Sequence, residues 1–134
     1  MESTDQPVGV RRAAPSVLIV EDEMLIAMEL EHLLSTHGYR VLGPVNTVAR
    51  ALTLLEQQQP DAALLDVNLN GESSTPVAAE LWARDVPFVT VTAYSSVAAR
   101  HPQLRDAPRA DKPIDHDEVL RLLVTVLGDD AGHA

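Results

Sequence analysis

The sequence predicts a doubly wound α/β domain: a five-stranded parallel sheet with helices on both faces. Two observations carry this. Short apolar runs alternate regularly with stretches of helical periodicity, and several runs end abruptly in carboxylates, Glu21-Asp22-Glu23 and Asp66 above all. Strands that alternate with helical segments form βαβ units, whose parallel strands are buried on both faces and read as continuous apolar runs.

Composition sets the frame. A chain of 134 residues with 46% hydrophobic content is long and apolar enough for one domain with a real core, and lies outside the disordered class. It has no cysteine, which excludes disulfide scaffolds, thiol catalysis and cysteine-based zinc sites. The formal charge of −10 is the wrong sign for a nucleic-acid binder or for attraction to an anionic membrane, and neither partner is expected. No stretch approaches the roughly 20 apolar residues of a membrane span. Residues 1–15, with Pro7, Gly9 and Pro15, read as a loose arm without a signal-peptide run, so the expected compartment is the cytoplasm.

The domain is expected over residues 16–127. Val17 to Val20 is a fully apolar strand that stops at Glu21-Asp22-Glu23. From Met24, Ile26, Leu30, Leu33, Leu34 and His37 recur at helical spacing, and Gly38 is placed to end that helix in a left-handed cap. Arg40 to Val45 reads as the second strand. Val48, Ala51, Leu52 and Leu55 mark a helix that Pro60 stops. Ala62 to Leu65 is the third strand, ending at Asp66. Ser74 to Arg84 is helical with Val77, Ala78 and Leu81 inward, and Pro87 to Val91 is the fourth strand, running out at Thr92. Val97 to Leu104 is a weak helix because Pro102 interrupts it, and Ala107 to Asp111 is a weak fifth strand. Asp115 to Leu127 is the last helix, with Asp115 as N-cap, Glu118 completing a capping box, and Val119, Leu122, Leu123 and Val126 inward. Gly128 closes it, and 128–134 read as a tail.

An open parallel sheet places its site outside the carboxyl ends of the strands. Those ends carry Glu21 and Asp22, Asp66, Thr92, and Asp111 with Lys112, the one lysine of a chain with nine arginines. Carboxylates packed together repel one another unless a cation sits among them. A hard divalent ion such as Mg²⁺ takes one or two carboxylates plus a phosphate oxygen. Asp66 could then act as a nucleophile toward a phosphoryl group, with Lys112 neutralising one of its oxygens and Thr92 donating to another. By period two Thr90 shares its side with Thr92, so local sequence does not choose between them. A solvated acidic turn is the bland alternative for Glu21 to Glu23. The five histidines lack the i, i+4 spacing of a metal pair, and no glycine-rich phosphate loop follows the first strand.

Val17 to Glu23, Leu64 to Asn68, Val91 to Ala93 and Asp111 to Pro113 together resemble, in order and spacing, the four motifs of the response-regulator receiver domain of two-component signalling. The resemblance covers about residues 16–127. It implies strand order 2-1-3-4-5 and five helices. It implies that Asp66 accepts a phosphoryl group from a histidine kinase or phosphotransfer protein. Glu21, Asp22, Asp66 and the backbone carbonyl of Asn68 would hold Mg²⁺ (or Mn²⁺), Thr92 and Lys112 would contact the phosphoryl group, and the Lys112-Pro113 bond would be cis. The sequence departs from the pattern in two places, one of them the fourth-helix segment Ser95 to Ala107, which is short of apolar periodicity and carries Pro102, and the other the switch. Receivers usually carry an aromatic residue where this chain has Arg109, and Tyr94 is the nearest substitute as a switch partner of Thr92. The implied function is that of a phosphoacceptor rather than an enzyme, with only slow self-phosphorylation and self-dephosphorylation. It would act as a single-domain receiver that binds a downstream protein or drains phosphoryl groups, and a homodimer is possible. Two alternatives stand beside this: a pseudo-receiver working without phosphorylation, and the receiver part of a longer regulator.

Overall fold

The computed structural model describes residues 14–93, 98 and 100–133. The elements run β1 (Ser16–Val20), α1 (Met24–Thr36), β2 (Arg40–Val45), α2 (Val48–Gln57), β3 (Ala62–Leu65), β4 (Asn68–Leu69), β5 (Glu72–Ser73), α3 (Thr75–Ala83), β6 (Phe88–Thr92), α4 (Pro102–Arg105), β7 (Arg109–Asp111) and α5 (His116–His133). The main sheet has five strands in the order β2-β1-β3-β6-β7, all parallel. This is the expected 2-1-3-4-5 arrangement, renumbered because a small β4–β5 hairpin, absent from the sequence reading, intervenes.

Period two along β1 divides the core. Leu18 and Val20 join Ala63, Leu65 and Phe88 on one face, under Val48, Ala51 and Leu55 of α2 and Val77, Ala78 and Leu81 of α3. Val17 and Ile19 join Leu64, Val89 and Val91 on the other, under Leu30, Leu33 and Leu34 of α1 and Val119 and Leu123 of α5. A strand covered by helices on both faces has no side on which a polar residue is cheap, which is why Val17 to Val20 and β3 read as unbroken apolar runs.

The caps explain where the helices stop. Beyond α1, Gly38 has φ +89°, Tyr39 N–H donates to Leu34 O (3.0 Å) and Gly38 N–H to Ser35 O (3.3 Å). These are the paired bonds of a Schellman motif, with Tyr39 packed back against the α1 side of the core. Thr47 Oγ1 accepts from Arg50 N–H (3.0 Å) to open α2, and Asp115 Oδ1 accepts from Glu118 N–H (3.1 Å) to open α5. In β2, Gly43 has φ +84°, and a Cβ there would lie 2.8 Å from Val45 N and 3.1 Å from Ile19 O. The β1–β2 register shifts at that point.

Three elements differ from the sequence expectation. Of the weak helix expected over Val97 to Leu104, residues 97 and 99 lie outside the described residues; residue 98 is helical, and the described part ends in the short α4, with Pro102 in its first turn, where a missing N–H costs nothing. The fifth strand starts at Arg109 rather than Ala107, because Pro108 has no N–H to give the ladder; its carbonyl accepts from Thr90 N–H (2.9 Å). Gly128 breaks α5 with φ 82° and ψ 170°, but the backbone beyond it, read as a tail, is helical again to His133. Among the described residues no helix is long and apolar enough to cross a membrane.

Candidate functional site

The backbone ladder carries the acidic residues past the strand ends without loosening them. Glu21 N–H donates to Val45 O (2.9 Å) and Asp66 N–H to Val20 O (3.0 Å), so each sits one step beyond its strand on a still-bonded main chain. Lys112 follows β7 in the same way, its N–H on Thr92 O (2.9 Å). One ligand oxygen from each of Glu21, Asp22 and Asp66 lies within 4.8 Å of the other two. Glu21 and Asp66 are buried, at 3% and 4% exposure, and Asp22 is half-buried.

Lys112 reaches across from the far side of β3. Its Nζ stands 3.1 Å from Glu21 Oε2, 3.1 Å from Asp66 Oδ2 and 3.7 Å from Glu23 Oε1. Burial opposes the lysine's charge, but Asp66 and Glu21 outweigh that and raise its pKa. The carboxylates are strained the other way. Burial first, and the charge of Asp66 second, push Glu21 up to about 7, although the Glu23 amide and Lys112 pull against this. Burial likewise raises Asp66, offset in part by Lys112. Fully ionised, Glu21, Asp22 and Asp66 would set three negative charges against the one ammonium of Lys112.

That imbalance, together with an orphaned atom, fits a divalent cation. Glu21 Oε1 is buried with no hydrogen-bond partner among the described residues, next to two other carboxylates. A buried, unpaired carboxylate oxygen is costly unless something positive occupies its lone pairs. The donor set is all oxygen, as hard cations require.

The structure brings Glu21, Asp22, Asp66 and Lys112 together as the sequence expects, and places Asn68 beside them, its N–H on Asp66 Oδ1 (3.3 Å). It does not bring in Asp111, which is exposed at the end of β7 while its neighbour Lys112 turns inward. Thr90 and Thr92 are both buried, but Thr90 Oγ1 is committed to Pro108 O (3.2 Å), away from the site. Thr92 is the one at the site edge, through the carbonyl that receives Lys112 N–H. The Lys112-Pro113 bond is cis, as expected, and so is Gly43-Pro44. Arg109 is exposed, and Tyr94 lies outside the described residues. The β4–β5 hairpin at the site lies outside the sequence expectation. Its signal was the Asn70-Gly71 dipeptide, the preferred two-residue turn of a hairpin.

The response regulator receiver domain profile matches residues 17–124, which is most of the chain. This chain belongs to the response-regulator receiver family. A solution structure of SdrG from Sphingomonas melonis Fr1 is similar at 46% identity and TM-score 0.76, covering 88% of this chain and all of that one. The receiver domain of the sensor histidine kinase PA1611 of Pseudomonas aeruginosa, with a magnesium ion coordinated in its active-site cleft, matches at 28% identity and TM-score 0.75 over 87% of this chain and all of that one. Among curated proteins, the positive alginate biosynthesis regulatory protein of Pseudomonas aeruginosa is 34% identical over 112 residues, 81% of this chain but 45% of that protein. The receiver thus spans about half the length of the curated relatives it matches first.

Proposed function

We propose that this receiver takes a phosphoryl group onto Asp66 from a phosphohistidine of a kinase or phosphotransfer protein, with Mg²⁺ (or Mn²⁺) held by Glu21, Asp22, Asp66 and the Asn68 carbonyl. The observation that carries the reading is the buried Asp66 carboxylate in contact with both Lys112 and the acidic cluster. In the transfer an oxygen of Asp66 attacks phosphorus, the phosphorus–nitrogen bond of the donor breaks, and its electron pair leaves with the imidazole. The product is an acyl phosphate. A bound divalent cation supplies charge neutralisation for the phosphoryl oxygens. Lys112, already pointing at Asp66, takes a second oxygen as a compact charge, and Thr92 donates to a third. The charge change at the strand ends then alters what protein the domain binds, in the cytoplasm, where the donor kinase domain works.

A protein donor is favoured by the surface beside the site. Met24, Leu25 and Met28, on one side of the first turns of α1, are 74%, 79% and 56% exposed, directly after the acidic loop. Exposed apolar side chains grouped beside a reacting group mark a contact surface. The test is label transfer from an autophosphorylated histidine kinase. Label reaches the wild type in Mg²⁺, is removed by hydroxylamine as an acyl phosphate must be, and fails to reach Asp66→Asn. Leu25→Glu slows transfer from the kinase and leaves labelling by acetyl phosphate unchanged. Labelling of Asp66→Asn at the wild-type rate would refute the assignment.

A further inference from the structure

The β4–β5 hairpin touches the acidic cluster through its own backbone. Asn68 N–H donates to Asp66 Oδ1 (3.3 Å), and Asn70 N–H donates to Asp22 Oδ2 (2.7 Å). Gly71 N–H on Asn68 Oδ1 (2.8 Å) closes the turn between the strands. Asn70 and Gly71 both have positive φ, +54° and +83°, between the paired residues Leu69 and Glu72. That is the two-residue turn that asparagine and glycine make at least cost. Leu69 anchors the hairpin, being buried in the α2–α3 side of the core.

We propose that this hairpin is a positioning strap for the cation site: the Asn68 and Asn70 amides hold the carboxylates of Asp66 and Asp22, so that closing the hairpin and binding the cation are one coupled equilibrium. The inference rests on the proposed function only in taking Glu21, Asp22 and Asp66 as the cation's ligands. Amide donors fix a carboxylate's rotamer before the ion arrives. Asp22 has most to gain, since it is half-exposed in the loop between β1 and α1, where an unrestrained side chain would turn to water. Coupling of this kind is reciprocal, so a cation that prefers the positioned carboxylates also tightens the hairpin.

Three variants separate strap from fold. Asn70→Pro removes the N–H that holds Asp22, at a φ proline does not adopt. Gly71→Ala keeps every amide but strains the turn, and its Cβ meets nothing within 4 Å. Gly38→Ala imposes the same kind of strain, at φ +89° and also with open space, in the cap of α1 away from the site. Mg²⁺ dissociation constants by titration calorimetry, and hydrogen exchange of the Asn70 amide with and without Mg²⁺, are the readouts. Asn70→Pro should weaken Mg²⁺ about tenfold or more, as loss of a group that orients a ligand does, with Gly71→Ala in between and Gly38→Ala unchanged. Mg²⁺ should slow exchange at Asn70 in the wild type. Equal affinities in wild type, Asn70→Pro and Gly71→Ala overturn the strap. A wild type that binds no Mg²⁺ overturns the cation site itself, which is a different result.

Discussion

Replacing Glu21 with glutamine measures what the buried carboxylate costs the fold. Burial and Asp66 raise this carboxyl from 4.5 to about 7. A group whose pKa is higher in the folded chain favours folding while protonated. Its contribution is therefore full below about pH 4.5 and is lost as pH rises through about 7. At about 1.4 kcal/mol per pH unit, ionising Glu21 withdraws about 3 kcal/mol across that window. That is a large share of the ~5–15 kcal/mol that holds a domain folded. Asp66 is shifted in the same direction and adds to the fall. Lys112 is raised above 10.5, so its contribution is fully present here and is lost only at more alkaline pH. The assay is urea denaturation in EDTA at about pH 5 and about pH 8. The wild type should lose about 3 kcal/mol between the two, Glu21→Gln much less, and the variant should be the more stable protein at the higher pH. Mg²⁺ at a hundred times its dissociation constant contributes about 2.7 kcal/mol, enough to offset the wild-type loss. A wild-type stability that rises with pH over this window, or a Glu21→Gln protein with an undiminished fall, would refute the reasoning.

Two further outcomes follow from the same geometry. Lys112→Met leaves Glu21 and Asp66 buried without their ammonium, so in EDTA at alkaline pH it should cost about 3–5 kcal/mol by urea denaturation. At acid pH, where the carboxyls protonate, the loss should shrink; an equal loss at both would show that Lys112 acts only by packing. Gly43→Ala puts a Cβ 2.8 Å from Val45 N at a φ of +84°, and should lower stability by about 2–4 kcal/mol, read by thermal unfolding in EDTA; an unchanged midpoint would show that the strand yields without cost.

The parts of the fold legible in the sequence are those where one physical demand dominates. Val17 to Val20 and Ala62 to Leu65 are buried on both faces and so are apolar at every position, and their acidic ends mark the site edge. Gly38 and Asp115 are legible because a left-handed cap and an N-cap each suit few residues. The illegible parts are those where demands compete. Strands of two residues such as β4 and β5 have no period to read, and only the Asn70-Gly71 turn between them carries a signal. Asp111 and Lys112 are neighbours of opposite charge, and which turns inward depends on the distant Glu21 and Asp66 rather than on local pattern. Thr90 and Thr92 share a side of β6, and what separates them is their place along the strand, since Thr92 ends it where Lys112 N–H reaches its carbonyl, while Thr90 lies further inside. Around α4 the helical periodicity is weak because Pro102 and the single buried Leu104 leave little amphipathic pattern.

The central claim is that Asp66 is a cation-dependent phosphoacceptor. Intact mass after incubation with acetyl phosphate tests it most directly, on wild type and Asp66→Asn, each with Mg²⁺ and with EDTA. One phosphoryl group should add to the wild type in Mg²⁺ and to no other sample. Addition to Asp66→Asn would mean that another residue is the nucleophile. No addition to a folded wild type that binds Mg²⁺ would contradict the account and leave the receiver as a binding module that works without phosphorylation.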